Sequence, residues 1–385
     1  MRVLLLNGPN LNLLGSRDPD IYGPTTLEQL HQQFEGWASA LGVTEVQVFQ
    51  SNHEGHLIDR LHAARDEVDG VVFNPGAYTH TSYALHDAIE AIGLPTVEIH
   101  ISNVEEREEW RRISVVRPAC VHSVYGRGIE GYRWALTHLV TREACPVRRL
   151  EYGPSPQQFA DLRVPEGEGP WPLVVLVHGG FWRARWTRET LELPAVDLVA
   201  RGLATLNVEY RRVGSGGGDG HGSTFVDDVV EAVLTGLADP AVDGAHWAIA
   251  GHSAGGQLAL MTARAMAAMD DRAPRLAVSL AGVVDLAAGI EQDLGDGAVR
   301  AYLGRSEPAA LSPAALVPLG VPTLLSHGTA DDQVPFAQSE TYAESARSAG
   351  DDVELLIGDH DHYAYLDPAH PAWTAVADRL GSALA

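Results

Sequence analysis

The strongest constraint on this chain is an alternation that runs, stops and restarts. Short apolar runs are each followed by a loop and a stretch with helical spacing. The first series is Val3–Leu6, Val46–Gln50, Val71–Asn74, Thr96–Ile101 and Cys120–Val124, closed by a helical stretch at Gly131–Val140. Around residues 143–152 the pattern breaks into a polar segment with Pro146 and the pair Arg148-Arg149. A second series follows: Leu173–His178, Ala204–Val208, Trp247–Ala250, Leu276–Leu280, Thr323–Ser326 and Val353–Ile357. Strands alternating with amphipathic segments imply parallel sheets with crossover helices. The chain has 385 residues, more than one core usually serves. The pattern therefore predicts two α/β domains, 1–142 and 153–385, joined by a linker at 143–152.

Five strands with intervening helices predict a flavodoxin-like doubly wound sheet for the first domain. The formal net charge of -24 disfavours nucleic acid and anionic membrane surfaces as partners. Two cysteines provide no disulfide framework, the start is too short an apolar run for a signal peptide, and the expected location is cytoplasmic. The Gly-rich stretch Gly214–Gly222 has no G-x-G-x-x-G and reads as a mobile surface loop.

In an open parallel sheet the site lies beyond the carboxyl ends of the strands, so the residues that follow each strand carry the information. A long loop after the first strand holds Asn10, Arg17 and Tyr22. A phenol is a poor base at neutral pH, with a pKa near ~10, and a neighbouring guanidinium lowers it. On this loop alone a packed Tyr and a solvated Arg are the plainer reading. After the third strand, Asn74-Pro75-Gly76 leads to Thr79-His80-Thr81-Ser82 and a helix. Asp87, seven residues beyond His80, is expected on the same helix face. A lone His near a helix start is more often structural. The fourth strand is the most telling: Glu98, His100 and Ser102 alternate, so they share one side of its end. A carboxylate beside an imidazole fixes its tautomer and suits it to acid chemistry. Arg107 and Arg111 follow at helical spacing.

Taken together, Asn7-Gly8-Pro9-Asn10-Leu11, Arg17-Asp18-Pro19 with Tyr22-Gly23, Asn74-Pro75-Gly76 with Thr79-His80-Thr81-Ser82, and Glu98-Ile99-His100-Ile101-Ser102-Asn103 resemble the type II 3-dehydroquinate dehydratases over residues 1 to about 140. The resemblance implies anti elimination of water from 3-dehydroquinate through an enolate. Tyr22 would take the C2 proton, Arg17 would lower its pKa, and Asn10 would hold a water on the enolate. His100, oriented by Glu98, would protonate the leaving hydroxyl. Asn74, His80, Asp87, Ile101, Ser102, Arg107 and Arg111 would bind the substrate. The resemblance implies no metal or organic cofactor, and a homo-oligomer built on a trimer or dodecamer. The departures from the family pattern, around Arg117-Pro118 and Tyr125-Gly126-Arg127, bear on oligomer contacts more than on chemistry.

In the second domain, Gly251-His252-Ser253-Ala254-Gly255 sits between an apolar strand and a helical run. That is G-x-S-x-G in the strand–turn–helix setting its mechanism needs. His178-Gly179-Gly180-Phe181-Trp182 ends an earlier strand, and the N–H of Gly180 or Phe181 with that of Ala254 would make an oxyanion hole. Downstream, Asp331 (with Asp332 beside it) and His360 or His362 complete the order Ser, Asp, His. A His-x-His metal site would need a third ligand, and none is placed. His178–Trp182, Glu209-Tyr210-Arg211-Arg212, and Asp361-His362-Tyr363 with Asp367-Pro368 resemble α/β-hydrolases of the esterase and kynurenine-formamidase-like kind. That resemblance favours His362 over His360 and implies an ester or amide substrate that the residues leave open. A silent assembly or binding module is the alternative for this half. A nucleotide- or flavin-binding first domain is disfavoured, because its first loop lacks a Ser/Thr/Gly phosphate cradle.

Overall fold

A computed structural model describes residues 1–16, 23–102, 110, 113–184, 186–214, 218, 220–269 and 272–385. The chain divides into two compact units, Met1–Ala144 and Cys145–Ala385.

In the first unit, β1 (Arg2–Asn7), β2 (Glu45–Gln50), β3 (Gly70–Asn74), β4 (Thr96–His100) and β5 (His122–Tyr125) form a parallel sheet in the order β2-β1-β3-β4-β5. Helices α1 (Leu27–Ala40), α2 (Glu54–Glu67), α3 (Tyr83–Ile92) and α4 (Glu130–Ala144) connect or close it. The run Val3-Leu4-Leu5-Leu6 explains the layering. Val3 and Leu5 pack with Leu30 and Phe34 of α1 and Leu136 and Leu139 of α4. Leu4 and Leu6 pack with Leu57 and Leu61 of α2 and Leu85 and Ile89 of α3. A strand buried on both faces cannot show a period of two, which is why the sequence gives unbroken apolar runs. The helix boundaries follow local chemistry. Thr26 and Gln29 form a reciprocal capping box at α1, Ser82 caps α3, and Gly93 ends α3 in the left-handed region at φ 64°. The fifth strand starts two residues later than expected, because Arg117–Ala119 forms a 3-10 turn that carries the chain to Cys120.

The second unit is an eight-stranded sheet. Its strands are β6 (Arg148–Glu151), β7 (Phe159–Arg163), β8 (Trp171–Val177), β9 (Ala204–Val208), β10 (Val242–His252), β11 (Leu276–Leu280), β12 (Thr323–Gly328) and β13 (Val353–Gly358), in the order β13-β12-β11-β10-β8-β9-β7-β6. All neighbours are parallel except β6 with β7 and β7 with β9. The segment expected as a linker thus contributes an edge strand. It was invisible to periodicity because an edge strand of Arg, Arg, Leu and Glu is mostly exposed and charged. Five longer helices cover the sheet: α5 (Glu192–Ala200), α6 (Ser223–Leu237), α7 (Ala254–Ala267), α8 (Ala337–Ser348) and α9 (Pro371–Leu384). The Gly-rich stretch is partly packed. Gly220 and Gly222 are buried, Gly222 N–H donates to the Tyr302 carbonyl at 2.6 Å, and residues 215–217 and 219 lie outside the described set.

The junction of β10 and α7 is the tightest point of this unit. Ser253 takes φ 56° and ψ -123°, a strained geometry for a residue with a side chain. It is accommodated because Gly251 and Gly255, two residues to either side, lack side chains. A Cβ on Gly251 would stand 1.9 Å from the Gly255 carbonyl oxygen, and one on Gly255 would stand 2.1 Å from the Val177 carbonyl oxygen. Both clashes are with backbone, so Gly255→Ala should destabilise the protein by about 3 kcal/mol. A thermal midpoint equal to that of the unsubstituted chain would contradict this account.

Candidate active sites

In the first unit the ends of β1, β3 and β4 meet a buried polar cluster. Glu98 is fully buried. Its Oε1 accepts from His100 Nε2 at 2.8 Å and Ser114 Oγ at 3.0 Å, and also from Thr79 Oγ1; Ser123 Oγ reaches Oε2 at 3.5 Å. Burial pushes the Glu98 carboxyl up, but the bonds from His100, Thr79 and Ser114 outweigh it and the net direction is down. Glu98 therefore stays an acceptor, His100 Nε2 carries a proton, and Nδ1 is the nitrogen left for chemistry. Thr79, Ser114 and Ser123 as holders of Glu98 escaped the sequence reading. Each lies on a different segment, and hydroxyl residues are too common to stand out.

Asn10 sits in the left-handed region at φ 66°, and its N–H donates to Asn52 Oδ1 at 2.9 Å. This loop approaches β3 closely: Gly8 N–H donates to the Asn74 carbonyl at 2.7 Å, and a Cβ on Gly8 would meet the Pro75 carbonyl oxygen at 2.6 Å. Asn74 is buried. His80 Nδ1 donates to the Ile113 carbonyl at 2.7 Å. The expectation that His80 and Asp87 share a helix face is corrected. His80 ends a 3-10 turn at Gly76–His80, whereas Asp87 lies exposed on α3, beyond a break at Thr81 and Ser82. The carbonyls of Ile101 and Ser102 accept from Gly128 and Gly126 at 3.0 and 3.2 Å, which ties the end of β4 to the turn after β5. Arg17, Tyr22, Arg107 and Arg111 lie outside the described residues.

In the second unit His362 Nδ1 donates to Asp331 Oδ2 at 2.7 Å. Asp331 Oδ1 accepts the N–H groups of Gln333 and Val334 at 2.9 and 2.8 Å. Burial pushes the Asp331 carboxyl up, but His327, His362 and the Val334 N–H drive it the other way and hold it well below the usual range. His327, not foreseen from sequence, is fully buried with Nε2 3.2 Å from Asp331 Oδ2. Asp332 accepts from Gln333, and His360 donates to the Asp361 carbonyl. The backbone of His362 is brought to the elbow by His252, the neighbour of Ser253, whose Nε2 donates to the His362 carbonyl at 2.8 Å.

The turn at His178–Trp182 lies against the same elbow. A Cβ on Gly179 would meet Ser253 Cβ at 2.8 Å. Gly180, Phe181 and Trp182 all have positive φ, at 104°, 51° and 54°. Ala254 opens α7, so its N–H has no carbonyl partner within the helix. Trp182 explains its own presence: it is fully buried, stacked on Tyr302 at 4.3 Å, with Nε1 donating to Gln257. Glu209-Tyr210-Arg211-Arg212 clamps this loop at both ends. Tyr210 donates to the His178 carbonyl at 2.9 Å, Glu209 accepts the Arg188 N–H at 3.1 Å, and Arg212 donates to the Trp186 carbonyl. Burial pushes Glu209 up, but Arg212, 2.6 Å away, and His178 pull it below the usual range.

The first unit is thus a doubly wound domain with a buried carboxylate–imidazole pair at its strand ends. The second is an α/β-hydrolase with a serine elbow and a His–Asp pair. Residues 1–140 match the Dehydroquinase class II family, and residues 200–376 match the Prolyl oligopeptidase family. A 3-dehydroquinate dehydratase of Caldicellulosiruptor saccharolyticus is 54% identical over 136 residues, covering 35% of this chain and 93% of the relative. A catabolic 3-dehydroquinase of Aspergillus terreus is 51% identical over 137 residues, covering 36% and 90%. Through its first unit the chain belongs to the class II dehydroquinases. The second unit shares its fold with a thermophilic esterase of Thermogutta terrifontis solved with butyrate bound, at TM-score 0.51 and 23% identity over 61% of this chain and 92% of that one. Among the described residues no helix is long and apolar enough to cross a membrane.

His252 makes the elbow sensitive to acid. Burial pushes its pKa down to about 3. Its unfolded value is near ~6.5, so below that pH the unfolded chain binds a proton that the folded one does not. The stability it contributes is complete above pH ~6.5 and is lost as pH falls toward the folded value, at up to ~1.4 kcal/mol per pH unit. His252→Gln should flatten the fall in urea midpoint between pH ~7 and ~4.5. A profile as steep as that of the unsubstituted chain would exclude His252 as the source.

Proposed function

We propose that the chain is a bifunctional enzyme: a 3-dehydroquinate dehydratase joined to a serine hydrolase of esters or amides. The observation that carries the first activity is the buried Glu98–His100 pair at the end of β4, in a unit that belongs to the class II dehydroquinases. On this reading the Tyr22 phenolate removes the C2 proton and leaves an enolate. Arg17 favours the phenolate, and Asn10 holds a water on the enolate oxygen. The departing C1 hydroxyl takes a proton from His100 Nδ1 and leaves as water. Glu98 fixes the ring through Nε2 and turns Nδ1 to the substrate side. Asn74, His80, Asp87, Ile101, Ser102, Arg107 and Arg111 hold the hydroxyls and carboxylate of the substrate. No residue in this scheme calls for a metal or organic cofactor. We infer a cytoplasmic homo-oligomer built on a trimer or dodecamer.

The dehydratase is tested on the whole chain by following enone absorbance from 3-dehydroquinate. Tyr22→Phe and His100→Ala should each lower kcat at least ~100-fold. Near-normal turnover in either variant removes that residue from the mechanism.

For the hydrolase, Ser253 Oγ attacks the carbonyl carbon and His362 Nε2 receives its proton. Asp331 keeps Nδ1 protonated, and the N–H groups of Ala254 and Gly180 or Phe181 receive the oxyanion. The His362–Asp331 bond at 2.7 Å supports this assignment over His360 and Asp332. A fluorophosphonate probe should label the chain, and Ser253→Ala should abolish labelling. Absence of labelling in the unsubstituted chain would favour a silent assembly domain. Turnover of p-nitrophenyl esters, aryl quinate esters and N-formylkynurenine then separates ester from formamide substrates.

A further inference from the structure

We propose that Tyr132 is a positioning residue for Asn74 in the first unit, holding its amide in one orientation through a hydrogen-bond chain anchored on Asn7. The inference rests on the dehydratase reading, in which Asn74 binds substrate. Asn7 and Asn74 are register partners at the carboxyl ends of β1 and β3, and both are buried. Tyr132 comes from the first turn of α4 and is fully buried. Gly131 lets that turn approach: a Cβ there would meet Ile99 Cδ1 of β4 at 2.6 Å.

The direction of the chain follows from one main-chain donor. Gly76 N–H lies 3.1 Å from Asn74 Oδ1 and can only donate, so Oδ1 accepts. Asn74 Nδ2 then faces Tyr132 Oη at 2.7 Å and donates to it. The single hydrogen of the phenol is left for Asn7 Oδ1 at 2.9 Å. Both amide orientations are fixed by this logic. It also accounts for a buried atom with no partner among the described residues, Asn7 Nδ2. Asn7 must present its oxygen to Tyr132, so its nitrogen points elsewhere and stays unpaired. A buried polar atom left so is uncommon and calls for a reason. The reason here is that Asn7 serves as acceptor at the end of a chain whose other end is a substrate ligand. Burial pushes the Tyr132 hydroxyl well above its ordinary range, so it keeps the proton the chain requires. Asn74 is left with one Nδ2 hydrogen and a fixed direction for it.

The test is steady-state dehydratase kinetics of the full chain with Tyr132→Phe, Asn74→Ala and the double variant. Tyr132→Phe keeps the ring that packs against the sheet and removes only the hydroxyl. It should raise KM for 3-dehydroquinate about fivefold or more, with a smaller change in kcat. In the Asn74→Ala background the same change should leave KM unmoved, because nothing remains to be positioned. A merely structural loss would lower activity equally in both backgrounds. An unchanged KM in the single variant, or additive effects in the double, overturns the proposal. If Tyr132→Phe fails to fold by circular dichroism, Asn7→Ala carries the test. It frees the phenol hydrogen to turn on Asn74 and should raise KM only where Asn74 is present; an unmoved KM overturns the proposal. Absence of turnover by the unsubstituted chain would defeat the dehydratase reading itself, a different result from additive losses in an active enzyme.

Discussion

A parallel sheet covered by helices on both faces has only its strand ends left for polar chemistry. The rest of each unit depends on that constraint. The inner strands are built mainly of Val, Leu, Ile and Ala, and among the described residues His100, Ser253 and His362 lie at or just past a carboxyl end. The price is that the carboxylates supporting these ends are themselves buried. Glu98, Asp331 and Glu209 are carboxylates taken out of water, which by itself would drive each toward the neutral acid.

The three carboxylates meet that pressure differently, and the difference matches their positions. Glu98 is held by an imidazole and hydroxyls, with no guanidinium among its bonded partners among the described residues. Asp331 shares its charge between two imidazoles and two main-chain N–H groups. Glu209 faces Arg212 and His178. A carboxylate paired with a fixed cation has its compensation in place. A carboxylate held mainly by hydroxyls and a titratable ring still gains from a proton arriving on that ring. Glu98 and Asp331 are thus suited to orienting the rings of His100 and His362, while Glu209 is suited to holding a loop.

The sequence carried much of this organisation, and what it missed has physical causes. Two-sided burial made the inner strands legible as apolar runs, and the elbow was legible because its glycines sit where a Cβ would strike backbone. The Glu98–His100 pairing followed from alternation along a single strand. The edge strand Arg148–Glu151 was lost because exposed edges carry no apolar signal. The break between His80 and Asp87 was lost because a 3-10 turn and an α-helix separated by two residues look continuous in spacing alone. Thr79 and Ser114 were lost for another reason: each reaches Glu98 through tertiary packing. His327 lies only four residues before Asp331, in β12, and no motif marks it.

Those lost residues share a property that bears on how such sites are built. Residues that touch the reacting atoms are limited in type by the chemistry, so motifs capture them. Residues that hold them need only a donor or acceptor at the right place, which many side chains on many segments can supply. The Tyr132–Asn7–Asn74 chain is of this kind. It joins a helix near the end of the first unit to the first and third strands, and no spacing rule connects them. What reveals it is the accounting of donors and acceptors: one main-chain N–H fixes a direction, and one unpaired buried amide nitrogen shows where that direction ends.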